Sequence, residues 1–136
     1  MFPKHTHILV VDDSLNLRRI IVDTLNRIGF MKVVTAEDAH EAMGVLTFHA
    51  DGATPINLIL SDLNMPGPSG LDFLKQVRGI ERFQTLPFIL VTTESEKGAV
   101  IEAAMSGVSA YVVKPFTGET LTKRLQEAWR KHHPED

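Results

Sequence analysis

The sequence predicts an α/β protein in which five parallel strands form a single sheet with helices on both faces. Two observations support this prediction. Five short apolar runs alternate along the chain with longer segments in which apolar residues recur at helical spacing. Four of the five runs are continuous and rich in β-branched residues, which is typical of strands that are buried on both faces.

The apolar runs themselves are the five predicted strands. The stretch HADGATP, residues 49–55, is predicted to be a surface loop between the second helix and the third strand. The strand sequences are HILVV, KVVT, INLILS, PFILVT and AYVV, and they begin at His7, Lys32, Ile56, Pro87 and Ala110.

Five helices are predicted between and after these strands, and we expect their apolar residues to face the core. Ser14 is suited to cap the first helix, and Gly29, Gly79 and Gly107 are suited to end the first, third and fourth. The apolar positions are Leu17, Ile21, Leu25 and Ile28; Ala39, Met43 and Leu46; Leu71, Leu74 and Val77; Val100, Ala104 and Met105; and Leu121, Leu125, Ala128 and Trp129.

Length and composition are those of one ordinary globular domain. The chain has 136 residues, of which 43% are hydrophobic and 23% charged, and its net charge of −3 provides no basic surface for nucleic acid. It has no cysteine, no signal peptide and no apolar run long enough to span a membrane. We therefore expect a single domain over residues 1–136, with a core at about residues 5–131. We expect a cytoplasmic monomer that binds neither nucleic acid nor membrane.

The order of the strands follows from chain length and connection rules. Right-handed crossovers in so short a chain favour the flavodoxin-like order 2-1-3-4-5, a three-layer (βα)5 sandwich, over a six-stranded dinucleotide fold. No Gly-x-Gly-x-x-Gly sequence follows the first strand, which also argues against dinucleotide binding. Ligands of such sheets bind beyond the carboxyl ends of the strands, so the residues that end each strand are the candidate site.

Polar side chains follow four of the five strands at that edge. Asp12 and Asp13 end the first strand, Asp62 the third, Thr92 the fourth and Lys114 the fifth. Three carboxylates with one ammonium leave an excess of negative charge, which suits a hard divalent cation such as Mg²⁺. A carboxylate can also accept a phosphoryl group, whose charge the cation and the lysine would neutralise. The side chains therefore predict phosphoryl transfer to an aspartate.

Taken one at a time, these residues also have structural interpretations. Asp12 and Asp13 can cap the first helix, and a threonine or lysine at a strand end is often structural. The functional interpretation rests on their convergence at one edge. His132 and His133, near the end of the chain, are expected to be solvated rather than to bind a metal.

The segments VVDD, LILSDLNMPGPSGLDFL, LVTTES and YVVKPFT together resemble the receiver domain of two-component response regulators. The similarity is closest to the single-domain chemotaxis members, and it covers residues 5–131. The resemblance implies that a histidine kinase phosphorylates Asp62. It also implies that Asp13, Asp62 and the backbone carbonyl of Asn64 hold Mg²⁺, while Asp12 orients a bound water.

The resemblance further implies how the signal is read and ended. Lys114 would pair with the phosphoryl group, Thr92 would move toward it, and Tyr111 would rotate inward behind it. The surface of the fourth helix, fifth strand and fifth helix would then change its affinity for a target. Asn64 and Glu94 would tune how fast the acyl phosphate hydrolyses. The peptide bond that follows Lys114 would be cis.

The leading hypothesis is a stand-alone response regulator that signals by phosphorylation-dependent protein binding. Because the domain fills the chain, we expect no attached output module. Its expected partners are a chemotaxis-type histidine kinase, the flagellar motor switch and a phosphatase. Such a protein is a signalling switch rather than an enzyme, since it catalyses only its own phosphotransfer and dephosphorylation.

Three alternatives remain open at this point. The protein could be a phosphate shuttle or sink in another phosphorelay. It could be a Mg²⁺-dependent phosphohydrolase of the haloacid dehalogenase type, although adjacent aspartates replace the Asp-x-Asp motif and there is no room for a cap domain. Flavin binding is disfavoured, because an acidic rim suits a phosphate poorly without a metal.

Overall fold

The computed structural model describes residues 1–93 and 96–135, and it confirms the predicted alternation of strands and helices. None of the helices in these residues combines the length and apolar character needed to cross a bilayer. The strands are β1 (Ile8–Val11), β2 (Val33–Ala36), β3 (Leu58–Asp62), β4 (Phe88–Thr92) and β5 (Ala110–Val113). The helices are α1 (Leu15–Arg27), α2 (Ala39–Ala50), α3 (Gly70–Arg78), α4 (Lys97–Met105) and α5 (Gly118–His132), with a short 3-10 turn at Glu81–Phe83.

The sheet has the predicted order β2-β1-β3-β4-β5, and all of its strand pairs are parallel. Every residue of β1, β3 and β4 is buried, as their uninterrupted apolar sequences require. Alternate residues of the strands point to opposite faces of the sheet, and each face has its own hydrophobic core. Leu9 and Leu90 pack on the face covered by α2, α3 and α4, whereas Val10 and Val91 pack on the face covered by α1 and α5.

Local signals place the helix ends where the sequence predicts them. The Ser14 hydroxyl accepts a hydrogen bond from the Leu17 amide at 3.3 Å and caps α1. The first and fourth helices end just before Gly29 and Gly107, whose φ angles of 107° and 88° are open mainly to glycine. These glycines lie in the turns that join α1 to β2 and α4 to β5.

The predicted core face of α4 is wrong. Ala103 is the buried residue of this helix, whereas Ala104 is exposed and Met105 is 84% exposed. The physical reason is that α4 has apolar residues on all sides, so helical spacing alone does not select the face that packs.

The end of the chain also differs from its predicted solvated state. The fifth helix extends to His132, whose Nε2 lies 2.7 Å from the hydroxyl of the buried Ser109. The His133 ring stacks on Trp129 with a centroid separation of 3.6 Å. Both imidazoles are half-buried because α5 continues far enough to lay them against the amino end of the sheet.

The predicted loop at 49–55 is shorter for a similar reason, since α2 includes His49 and Ala50.

Candidate functional site

Three carboxylates meet at the carboxyl edge of the sheet, as predicted. Asp12 and Asp13 follow β1, and Asp62 is the last residue of β3, the neighbouring strand. One oxygen from each side chain can be chosen so that all three oxygens lie within 4.8 Å of one another. Asp12 and Asp62 are buried and Asp13 is exposed, so the cluster opens to solvent on one side.

Asp12 carries a buried carboxylate whose charge is disfavoured by its surroundings. Its Oδ1 accepts a hydrogen bond from the Ser14 amide at 2.9 Å, but its buried Oδ2 has no hydrogen-bond partner among the residues that the structure describes. Burial raises the pKa of Asp12, and the nearby Asp62 and Asp13 raise it further, against the opposing effects of the Ser14 amide and Lys114. A buried oxygen without a partner, facing two other carboxylates, fits a hard cation such as Mg²⁺.

Lys114 supplies positive charge at the same edge. Its Nζ lies 2.8 Å from Asp62 Oδ1 and 4.0 Å from Asp12 Oδ2. The Lys114 amide donates to the Thr92 carbonyl at 2.7 Å, which extends the pairing of β4 and β5 up to the site. The predicted cis peptide bond between Lys114 and Pro115 is present. The ammonium is therefore placed to meet negative charge that arrives at Asp62.

Thr92 lies at the same edge, and its hydroxyl contacts Glu96. Its Oγ1 donates to Glu96 Oε2 at 2.8 Å and lies 3.3 Å from the Thr93 carbonyl. The other oxygen of the same carboxylate, Glu96 Oε1, accepts a hydrogen bond from the side-chain amide of Asn64. Glu96 thus bridges the segment after β3 and the end of β4.

The charge on Glu96 is favoured by these contacts. Burial alone would raise the pKa of Glu96, but hydrogen bonds from Asn64, Thr92 and the Thr93 amide, with Lys114 nearby, bring the pKa below its ordinary value. Glu96 is not among the predicted site residues. The predicted residue, Glu94, lies outside the residues that the structure describes. In the sequence, a role for Glu96 in the site is indicated only by its position between the threonine that ends the fourth strand and the start of the fourth helix.

Tyr111 lies apart from the carboxylates. It belongs to β5, is 40% exposed, and its ring centroid is 6.0 Å from the Arg124 guanidinium carbon. Its ring opens on a surface cavity of about 570 Å³. The lining residues of this cavity are Thr93, Lys97, Val100, Ile101, Tyr111 and Val113.

Two further residues fix the backbone around the aspartates, and neither was predicted. A Cβ atom on Gly70 would lie 2.1 Å from the Asp62 carbonyl oxygen, so only glycine lets α3 begin against the end of β3. Its amide donates to the Leu63 carbonyl at 2.8 Å. Arg18 Nη1 donates to the Asp12 carbonyl at 2.7 Å from α1. These contacts hold the strand ends, and hence the carboxylates, in place.

Comparison with known proteins agrees with this geometry. Residues 8–126 match the model of the response regulator receiver domain. The chain is 44% identical to the chemotaxis protein CheY1 of Helicobacter pylori over 88% of this chain and 93% of that protein. It is 39% identical to the chemotaxis protein CheY of Pseudomonas aeruginosa over 91% and 96% of the two chains. The solved structure of the chemotaxis response regulator CheY4 of Vibrio cholerae is 35% identical and superposes with a TM-score of 0.77, covering 91% of this chain and 98% of that one.

Proposed function

The chain belongs to the response regulator receiver domain family, among its chemotaxis-type members, and from this premise we propose that it is a switch phosphorylated on Asp62. The observation that carries the proposal is the convergence of Asp62, two further aspartates and Lys114 at one edge of the sheet. We propose that residues 1–136 act as one receiver unit, whose output passes through contact with another protein.

Phosphorylation forms one bond and breaks another. A carboxylate oxygen of Asp62 attacks the phosphorus of a phosphohistidine, and the phosphorus–nitrogen bond of the donor breaks. The leaving imidazole keeps the bonding electron pair and takes up a proton from water. Lys114, which pairs with Asp62 at 2.8 Å in the resting state, then pairs with a phosphoryl oxygen. Thr92 supplies a hydroxyl to another phosphoryl oxygen once it turns toward Asp62.

The residues that would hold Mg²⁺ are Asp13, Asp62 and the Asn64 carbonyl, with Asp12 orienting a bound water. The unpartnered Oδ2 of Asp12 supports this assignment. When bound, the ion offsets the charge of the transferring phosphoryl group.

Asn64 and Glu94 are proposed to tune hydrolysis of the acyl phosphate. The protein is thus a signalling switch that catalyses only its own phosphotransfer and dephosphorylation.

The test of the phosphoacceptor uses a small donor. With Mg²⁺ and acetyl phosphate, an oxygen of Asp62 displaces acetate, and intact-protein mass spectrometry should record one added phosphoryl group per chain. Asp62→Asn should abolish this addition, because an amide is a poor nucleophile. Asp23→Asn, at an exposed position of α1, is the matched control and should be labelled like the wild type. Equal labelling of Asp62→Asn and wild type would refute the assignment.

The role of Lys114 is tested separately from the phosphoacceptor. Lys114→Ala should retain Mg²⁺ binding, since the carboxylates remain, but it should lose the effect of phosphorylation on target affinity. Titration with Mg²⁺ and with a target peptide measures the two properties on the same protein. A normal phosphorylation-dependent response in Lys114→Ala would contradict the proposed role.

We propose that the target surface consists of α4, β5 and α5 around Tyr111. It presents apolar side chains at Ile101, Met105 and Tyr111, which are 64%, 84% and 40% exposed. The proposed partners are a chemotaxis-type histidine kinase upstream and the flagellar motor switch downstream, as in chemotaxis proteins of this family. A phosphatase that ends the signal is a further proposed partner.

The partner proposal is tested by titrating the protein with the amino-terminal peptide of a flagellar motor-switch protein. Beryllofluoride stands in for the phosphoryl group on Asp62. Tighter peptide binding with Mg²⁺ and beryllofluoride than with Mg²⁺ alone, in the wild type and not in Asp62→Asn, is the expected result. Equal binding in both conditions would remove the motor switch as the target and favour a shuttle or sink in a phosphorelay.

A further inference from the structure

Glu96 occupies an unusual position between the candidate site and α4. It stands where a residue would cap α4, yet its side chain makes no capping hydrogen bond to that helix. Its carboxylate instead turns to the site, where it accepts from the Thr92 hydroxyl at 2.8 Å and from the Asn64 amide. The two partners belong to separate segments, one after β3 and one at the end of β4. The carbonyl of Glu96 thus accepts a hydrogen bond of α4 from the Val100 amide, whereas its side chain binds the site.

The hydroxyl of Thr92 has one hydrogen, which Glu96 accepts at 2.8 Å, and the Thr93 carbonyl at 3.3 Å is the more distant acceptor. Thr92 is 1% exposed, so water does not offer its hydroxyl a ready alternative. A hydroxyl committed to Glu96 cannot donate to a phosphoryl oxygen on Asp62 at the same time. Movement of Thr92 toward Asp62 therefore exchanges one hydrogen bond for another, and the strength of the resting bond opposes the exchange.

We propose that Glu96 is a positioning residue that holds Thr92 in the resting state and so sets how readily Asp62 enters the phosphorylated state. The inference rests on the proposed phosphorylation of Asp62. A group that binds only the resting arrangement shifts a two-state equilibrium toward it, and its removal shifts the equilibrium back. Loss of the Glu96 carboxylate should therefore favour the arrangement in which Thr92 faces Asp62.

Two variants separate this positioning role from a simple effect of charge. Glu96→Ala removes the acceptor and the charge together. Glu96→Gln removes the charge but keeps an oxygen that can accept from Thr92, while the exposed amide of Asn64 can turn to present its own oxygen. Glu102→Ala, in α4 and paired with Lys75, removes the same charge without contact to Thr92 or Asn64. It is the matched control for charge loss.

The experiment titrates each protein with beryllofluoride in saturating Mg²⁺ and follows the bound fraction by fluorine NMR. A hydrogen bond to a charged acceptor is strong enough that Glu96→Ala should bind beryllofluoride about tenfold more tightly than the wild type. Glu96→Gln, whose neutral oxygen still accepts from Thr92 but less strongly, should tighten binding by less than Glu96→Ala does. Glu102→Ala should bind as the wild type does. In the metal-free protein, the Thr92 methyl resonance should shift in Glu96→Ala and not in Glu102→Ala.

Each other result overturns the inference in a recognisable way. Equal tightening by Glu96→Ala and Glu96→Gln would assign the effect to charge and not to the hold on Thr92. Wild-type affinity in Glu96→Ala, with normal Asp62-dependent binding, would remove the positioning role and leave the proposed function intact. Absence of Asp62-dependent binding in the wild type would overturn the proposed function, and the inference with it.

A double-mutant cycle supplies the final check. In a Thr92→Val background there is no hydroxyl for Glu96 to hold, so Glu96→Ala should change the affinity for beryllofluoride by less than about twofold. A full tenfold effect in that background would show that Glu96 acts through another residue, which contradicts the inference.

Discussion

The two ends of the sheet differ in what surrounds their buried polar groups. At the carboxyl end, three carboxylates crowd together, and among the described residues Asp12 Oδ2 has no hydrogen-bond partner, although Lys114 Nζ lies 4.0 Å from it. At the amino end, the Ser109 hydroxyl accepts from the Phe88 amide at 3.0 Å and lies 2.7 Å from His132 Nε2. Arg78, although its Nη2 is unpartnered, places its other nitrogens on three backbone carbonyls. Among the described residues each end has one buried polar atom without a hydrogen-bond partner, but at the carboxyl end that atom belongs to a cluster of three carboxylates.

The surroundings of these polar groups distinguish residues that stabilise the fold from residues that are suited to bind a ligand. Buried polar groups are normally hydrogen-bonded, and each exception calls for an explanation. At the amino end, polar side chains tie α3, α5 and the strand starts together, which suits a structural role. At the carboxyl end, the unsatisfied oxygen is explained by a cation. Removal of a buried polar group should therefore lower stability at the amino end and, for Asp12, raise it at the carboxyl end, whereas Gly70 tests the backbone packing that holds the carboxyl end. Four predictions test these expectations.

The largest effect is expected at Gly70, which holds α3 against the carboxyl end of the sheet. In Gly70→Ala the new Cβ would lie 2.1 Å from the Asp62 carbonyl oxygen and 2.9 Å from the Leu63 Cα. These are backbone atoms that cannot turn aside, so unfolding in urea should show a loss of about 3 kcal/mol or more. Gly44→Ala, in α2 with no atom within 4 Å of the new Cβ, is the control and should gain about 1 kcal/mol. Similar stability of the two variants would contradict the close packing.

The next effect is expected at the amino end. Ser109→Ala removes the acceptor of the buried Phe88 amide and should lower the free energy of unfolding by about 1–3 kcal/mol. Ser106→Ala loses only a hydroxyl bond to the Glu102 carbonyl at a half-buried site and should cost less. Urea titrations of both variants measure the difference. If Ser109→Ala were as stable as the wild type, the contrast between the ends of the sheet would fail.

The carboxyl end is more predictable from sequence than the amino end. Asp12, Asp62 and Lys114 each follow an apolar strand directly, and parallel strands carry their end residues to one edge. Strand order follows from chain length and the right-handed connection rule. The predicted sheet therefore places these three side chains at one edge. Their proximity can be predicted without knowing the side-chain conformations.

Contacts that depend on helix placement are not predictable in this way. Glu96 reaches Asn64 across 32 positions of sequence, and this requires the start of α4 to lie over the segment after β3. Similarly, the burial of His132 depends on α5 continuing to the amino end of the sheet, where Ser109 lies. Apolar spacing predicts that α4 and α5 exist, but their placement is decided by tertiary packing.

A moderate effect of opposite sign is expected at Asp12. Burial and the neighbouring aspartates raise its pKa, so in the absence of metal the stability it contributes is lost as the pH rises through its folded pKa. At neutral pH, Asp12→Asn should therefore stabilise the metal-free protein, by about 1 kcal/mol. Urea unfolding with a chelator present measures this, and Asp13→Asn, at the exposed position, should change it less. A destabilised Asp12→Asn would show that the carboxylate is a structural group.

The smallest effect is expected at His132, and only in acid. Burial lowers its pKa, and Arg78, His133 and Lys131 lower it further. The unfolded chain therefore binds a proton below about pH 6.5 while the folded protein does not, so stability falls as the pH decreases from there toward the folded pKa. His132→Gln can still form a hydrogen bond with Ser109 but does not titrate, so its unfolding free energy should decline less over that range. His40→Gln, at an exposed position, should follow the wild type. If the unfolding free energies of His132→Gln and the wild type changed in parallel with pH, the imidazole would titrate equally in the folded and unfolded states. His132 would then make no pH-dependent contribution to stability.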